Sequence, residues 1–255
     1  MTHRGRILLA GLLVCACLLV TAVAWATETL TTHVSFSPDK LGAPTNVSAR
    51  GEFHSTSGRV PSPVSEVTVY LPAGLKIEVQ GAGTCIAARL EAIGPSACPA
   101  DSRIGFGGGK GLLELAKEVI PEAYTIDLFI GPKENGHLVV LAYVQARSPA
   151  LIELVVVAKE VHAPKPYGLG FSSTVPPIPT LPGASNASIE SLFLTVGDKN
   201  VAYYRAIRGK RRLVHVNGIV VPRTCPDGGF PYKALVSFED GSSLTNTGTI
   251  PCPPR

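Results

Sequence analysis

This 255-residue sequence predicts an all-β fold, an antiparallel β-sandwich of about ten strands with one or two short helices and two disulfides. Three observations predict it. Short segments alternate apolar and polar side chains with a period of two, turn residues separate them, and helical periodicity is confined to brief stretches. The 26 glycines and 22 prolines suit many turns rather than long helices.

The first element is an export segment, residues 1–26. Arg4 and Arg6 precede the uncharged run "ILLAGLLVCACLLVTAVAWA", which closes on the small-x-small triplet Ala24-Trp25-Ala26. Basic, apolar and small-residue regions in that order make a secretory signal. The run is 20 residues long, which is also what a membrane-spanning helix needs, so an uncleaved anchor is the alternative. Without this segment the chain carries 21 basic and 19 acidic residues. A charge so near balance excludes a nucleic-acid binder, and a composition 45% hydrophobic and 16% charged excludes a disordered chain.

Strands follow from residue 27 onward. In "TTHVSFS" Thr32, Val34 and Phe36 alternate with His33, Ser35 and Ser37. In "NVSARGEFH" Val47, Ala49, Gly51 and Phe53 oppose Ser48, Arg50, Glu52 and His54. "SEVTVYLP" aligns Val67, Val69 and Leu71, and "YTIDLFI" aligns Tyr124, Ile126, Leu128 and Ile130. Each reads as a strand with one wet face. "HLVVLAYVQ" and "LIELVVVAKEV" are apolar almost throughout, as central strands covered on both faces are. "SIESLFLTV", "VAYYRAI", "LVHVNGIVV" and "YKALVSF" supply four more. Turns are expected at 132–136, 198–200, 209–210, 227–229 and 240–241.

Helix is scarce. "TCIAARLEAIG" predicts about two turns, with Thr84 as cap, Ile86, Leu90 and Ile93 on one face and Gly94 as stop. "GLLELAKEVIPE" fits a helix and a strand equally. The proline-rich stretch 173–188 reads as a long crossover within one domain, 27–255, with a division near residue 180 as the alternative.

Cysteines extend the argument. Cys15 and Cys17 fall in the export segment, which leaves Cys85, Cys98, Cys225 and Cys252. An even number in an exported chain reads as disulfides. Three pairings are open, and proximity favours Cys85–Cys98 with Cys225–Cys252. No C-x-x-C occurs among the four, so zinc-knuckle and dithiol spacings are absent, and no cofactor or metal is expected.

Candidate sites are few. "GFGGGKG", residues 105–111, fails the phosphate-loop pattern because Gly111 follows Lys110 where Ser or Thr is required, and it reads as a flexible turn after a strand. His33, His54, His137, His162 and His215 form no metal motif. Ser102 has no nominated base and reads as a turn serine, and Glu239-Asp240 sits at a hairpin turn. "RAIRGKRR" is the sharpest surface feature. Arg205, Arg208, Lys210, Arg211 and Arg212 crowd a hairpin tip around Gly209, fit to meet anionic cell-wall polymer or phospholipid head groups, or to keep a solvated edge from aggregating.

The segments "SFSPDKLGAPTNVS", "VPSPVSEVTVYLPAGL", "CPADSRIGFG", "YYRAIRGKRR" and "CPDGGFPYKALVSFEDGSS" resemble a group of uncharacterised secreted proteins of high-GC Gram-positive bacteria. The resemblance implies export and a β-rich, disulfide-bonded fold, and it implies no catalytic residues. The expectation is therefore a non-enzymatic secreted or cell-envelope binding or structural module. The alternatives are a carrier of an apolar small molecule held between the sheets and a secreted hydrolase with a dispersed site.

Overall fold

The computed structural model describes residues 28–56, 60–115, 118–178, 180, 185–197, 202–215 and 218–254. The export segment, the turn at 198–200 and the prolines Pro179 and Pro182 lie outside the described residues. The described chain forms β1 (Glu28–Ser37), β2 (Pro44–Ser55), β3 (Val64–Pro72), β4 (Lys76–Glu78), helix α1 (Ala87–Ile93), β5 (Arg103–Leu115), β6 (Glu118–Ile130), β7 (Val139–Ala146) and β8 (Ile152–Val161). It continues through β9 (Tyr167–Thr174), β10 (Ser188–Gly197), β11 (Ala202–Ile207), β12 (Lys210–His215), β13 (Gly218–Val220), β14 (Phe230–Phe238) and β15 (Ser243–Ile250).

The fold is all-β and antiparallel, with fifteen described strands where about ten were expected. Thirteen belong to one sheet, ordered β15-β14-β3-β9-β8-β7-β6-β5-β10-β2-β13-β4, with β1 on the other side of β2. Two packed sheets were expected, and one continuous ladder path is observed. The short additional strands β4 and β13 escaped notice because three residues are too few to show a period. The ambiguous stretch 111–122 is strand: it makes the end of β5 and the start of β6, paired from Leu115 with Glu118 back to Arg103 with Phe129.

The sheet curls until its outermost strands meet. Thr32 Oγ1 on β1 donates to Asn246 Oδ1 on β15 at 2.6 Å, and Asn246 Nδ2 donates to the Leu30 carbonyl at 2.6 Å. Because the Thr32 proton is committed, the Tyr232 hydroxyl, 2.9 Å away, donates to Thr32. The Tyr232 ring reaches across β15 only because its cross-strand neighbour is Gly248, where a Cβ would stand 2.3 Å from the phenol oxygen. These side-chain bonds join two strands that share no backbone ladder among the described residues.

The alternating faces follow the sequence. Leu30, Thr32 and Val34, Val47, Ala49 and Phe53, and Val67, Val69 and Leu71 all face the concave side. Their polar partners Ser48, Glu52 and His54 do not line it. β7 and β8 are covered on the outside: Leu141 and Tyr143 pack with Val155 and Val157 beneath α1, whose Leu90 is wholly buried. Burying that leucine contributes about 2–3 kcal/mol. Gly94 ends the helix as expected, at φ +87°, donating to the Leu90 carbonyl. Thr84 does not cap it. The helix begins after Ile86 with no side-chain cap, and Ile86 and Ile93 are exposed, so Leu90, with Ala87 packed beside it, holds the helix down.

Both expected disulfides are present, Cys85–Cys98 beside α1 and Cys225–Cys252 beyond β15. The glycine run corrects the sequence reading. Residues 105–111 are not a turn but the middle of β5, laddered to β6 on one side and β10 on the other. Cβ atoms added at Gly105, Gly107 and Gly109 would lie 2.4, 2.2 and 1.9 Å from the carbonyl oxygens of Thr195, Phe193 and Ser191. Glycine is required because the β10 backbone approaches too closely for any side chain.

Candidate ligand cavity

The concave faces do not close on one another. Between them lies a cavity of about 490 Å3, lined from β1, β2, β3, β5, β6, β7, β8, β9, β10 and β14. The sequence dictates the wall's chemistry, since the inward register of every long strand is aliphatic or aromatic. β6 contributes Ile126 and Leu128, β7 Val140, Ala142 and Val144, and β8 Leu154 and Val156. Val140, Ala142 and Val144 of β7 and Leu154 and Val156 of β8 are half-buried, while the outward Leu141 is almost inaccessible. An apolar residue that points inward yet stays half-buried faces space rather than another side chain.

Packed apolar clusters flank the cavity. In one, Phe36, Leu75, Ile219, Val221, Phe230 and Ile250 pack together, with Phe36 and Phe230 edge-on at 5.6 Å. The crossing strands β4 and β13 supply Leu75's neighbourhood and Ile219, and Ile219 lines the cavity. In the other, Phe53, Val64, Val236 and Phe238 pack across β2, β3 and β14.

Polar groups on the wall are few. The Tyr124 hydroxyl donates to the Ser191 carbonyl at 2.8 Å, and burial pushes its pKa well above the ordinary phenol value. Thr32 and Tyr232 are spent on the seam between β1 and β15. Glu122, 2% exposed, accepts from the Ala150 N–H at 3.2 Å through Oε1, while its buried Oε2 has no hydrogen-bond partner among the described residues.

The residues singled out in the sequence lie elsewhere. The basic cluster forms a separate two-stranded hairpin, β11–β12, turning at Arg208 and Gly209 with φ +51° and +72°. Two successive positive φ values are the geometry of a tight hairpin turn. Arg208, Lys210, Arg211 and Arg212 are exposed, and Arg211 lies 4.2 Å over the Tyr204 ring. Nothing is described for the Arg205 side chain. Tyr204, Ile207 and Leu213 are exposed on the same hairpin.

His33, His54, His137 and His162 are exposed, and the side chain of His215 lies outside the described residues. His54 stands 3.9 Å from Glu52 on the convex side. Ser102 is fully buried and donates to the Pro99 carbonyl at 2.6 Å, as a turn serine does. Asp240 accepts from the Ser242 N–H and hydroxyl within the β14–β15 turn. No group of three His, Cys, Asp or Glu side chains among the described residues is placed to hold a metal.

Sequence reasoning held an apolar ligand space between the sheets only as an alternative, and it missed Glu122. The signal for Glu122 was available: extending the inward series Ile130, Leu128, Ile126, Tyr124 by two residues reaches a carboxylate on an otherwise apolar face. No family model, curated protein or solved structure matches this chain.

Proposed function

We propose that this protein is a non-enzymatic carrier that holds an apolar or amphipathic small molecule inside its curled sheet. The observation that carries the reading is the cavity of about 490 Å3 walled by the apolar faces of ten strands. Its volume lies in the range of small-molecule sites. At roughly 30 Å3 for a water-sized group, it seats a ligand of about sixteen heavy atoms. A two-layer sandwich and a ring flattened around its lumen share the same inward faces. The unbroken strand order and the β1–β15 seam favour the ring. Strand barrels that lie in lipid turn apolar residues outward and polar ones inward. Here the polarity is reversed, which favours a carrier over a pore.

Two disulfides are the chemistry of an oxidising compartment. Among the described residues no helix is long and apolar enough to cross a membrane. Export through residues 1–26, or tethering by that segment where it is retained, completes the reading. The β11–β12 hairpin supports a partner as well: cations at its tip beside exposed Tyr204, Ile207 and Leu213 match an anionic surface, phospholipid or cell-wall polymer.

The test is fluorescence of N-phenyl-1-naphthylamine, an apolar dye, titrated with the delipidated full chain. Saturable enhancement, competed by long-chain lipids, is expected. Absence of any enhancement by a folded, disulfide-bonded sample would overturn the carrier.

A further inference from the structure

Resting on the carrier reading, we infer that Glu122 is the recognition point for the ligand's head and that the ligand is a lipid alcohol, a single apolar body ending in a hydroxyl. Three buried side-chain oxygens lack a hydrogen-bond partner among the described residues, on Glu28, Asn46 and Glu122. Only Glu122 also lines the cavity. A buried polar atom without a partner costs folding free energy, so its retention at the wall of an apolar chamber points to a partner that comes with the ligand.

The geometry selects the head. Oε1 is committed to the Ala150 N–H, and Oε2 remains. The last side-chain torsion of glutamate is soft, so the carboxylate can turn toward the lumen with the two oxygens exchanging the Ala150 N–H between them. Gly111 is its cross-strand neighbour on the same face, where an added Cβ would meet nothing closer than 3.4 Å, so there is room beside the carboxylate. Leu113 of β5 and Ala146 of β7 are diagonal to it in the strand register, with Ile152 of β8 opposite Ala146, and these lining residues offer carbon and no charge. A carboxylate is an acceptor, so it pairs with a donor such as a hydroxyl and repels an acid head. An ester of the same chain has no donor to give.

The experiment displaces N-phenyl-1-naphthylamine from the full chain with hexadecanol, methyl hexadecanoate and hexadecanoic acid. These ligands share one chain and match the cavity's size. A hydrogen bond to a charged group predicts that hexadecanol binds about tenfold to a hundredfold more tightly than the ester, with the acid weaker than the alcohol. Glu122→Leu is expected to erase the preference for the alcohol while the dye still binds. In Glu122→Gln the amide oxygen still accepts from Ala150 and the other position becomes an uncharged NH2 donor, so the ester and the acid should gain on the alcohol. That variant also serves if Glu122→Leu fails to fold. Equal displacement by all three ligands, or a preference unchanged in both variants, would overturn the assignment while leaving the carrier in place. A dye that never binds would overturn the carrier itself.

Discussion

Replacing Ala142 by leucine puts a number on the cavity. Ala142 is half-buried on the inward face of β7, between Leu128 of β6 and Val156 of β8. The change adds three carbons. At about 0.8 kcal/mol for each methylene taken out of water, burial contributes about 2.4 kcal/mol. Fixing the leucine rotamer costs about 0.5–1 kcal/mol. The balance is a stabilisation of about 1.5–2 kcal/mol, or a rise in melting temperature of about 3–8 °C for a domain of this size. The same carbons occupy about 90 Å3, at roughly 30 Å3 each. That is about a fifth of the lumen, so hexadecanol should bind more weakly. Thermal denaturation of the delipidated variant and dye displacement read the two effects. In a filled core, an inserted leucine instead destabilises by about 1–3 kcal/mol. A fall in melting temperature would therefore refute the claim that Ala142 faces open space.

Gly107→Val on β5 should destabilise by about 3 kcal/mol in urea denaturation, because its Cβ would meet the Phe193 carbonyl at 2.2 Å; a neutral result would mean that β10 is free to move away. Asn246→Ala should cost about 1–3 kcal/mol. It should also speed amide exchange in β1 and β15 while leaving β7 protected, and uniform loss of protection would argue against a localised seam. Glu28 is 6% exposed and burial raises its pKa, an effect the Ser62 N–H offsets in part. Its folded state thus binds a proton more tightly than the unfolded chain, so stability should fall as pH rises from the ordinary carboxylate range through the raised value. Glu28→Gln should remove that fall, and parallel urea midpoints across pH would contradict it. Replacing Arg208, Lys210, Arg211 and Arg212 by serine should abolish salt-sensitive sedimentation with anionic vesicles at unchanged stability; retained binding would assign the contact elsewhere.

The inward and outward faces were legible wherever residues alternate, because in a strand the period of two maps directly onto the two sides of the sheet. Val67, Val69 and Leu71 needed no structure to place them. The central position of β7 and β8 was equally plain from their unbroken apolar runs, and chain proximity indicated both disulfide pairings. Gly105 to Gly111 was not legible. A residue without a side chain has no face to alternate, so a strand interior made of glycines looks like a turn. The cavity stayed only an alternative for a related reason. Alternation shows that Val144 and Leu154 point inward, but whether opposite walls touch depends on the curvature of the sheet. That curvature comes from contacts far apart in the chain, such as Tyr232 over Gly248 reaching Thr32.

That last contact has a mechanical consequence. Around the ring, ten of the junctions between neighbouring strands are backbone ladders. The remaining one, between β1 and β15, is fastened by the side chains of Thr32, Asn246 and Tyr232. A hoop with one soft joint gives at that joint. The opposite wall, β7 and β8, is splinted on its outside by α1 and the Cys85–Cys98 bridge. The β1–β15 line is therefore the one place where the closure of the ring rests on side chains alone among the described residues, and parting it would open the cavity along its length.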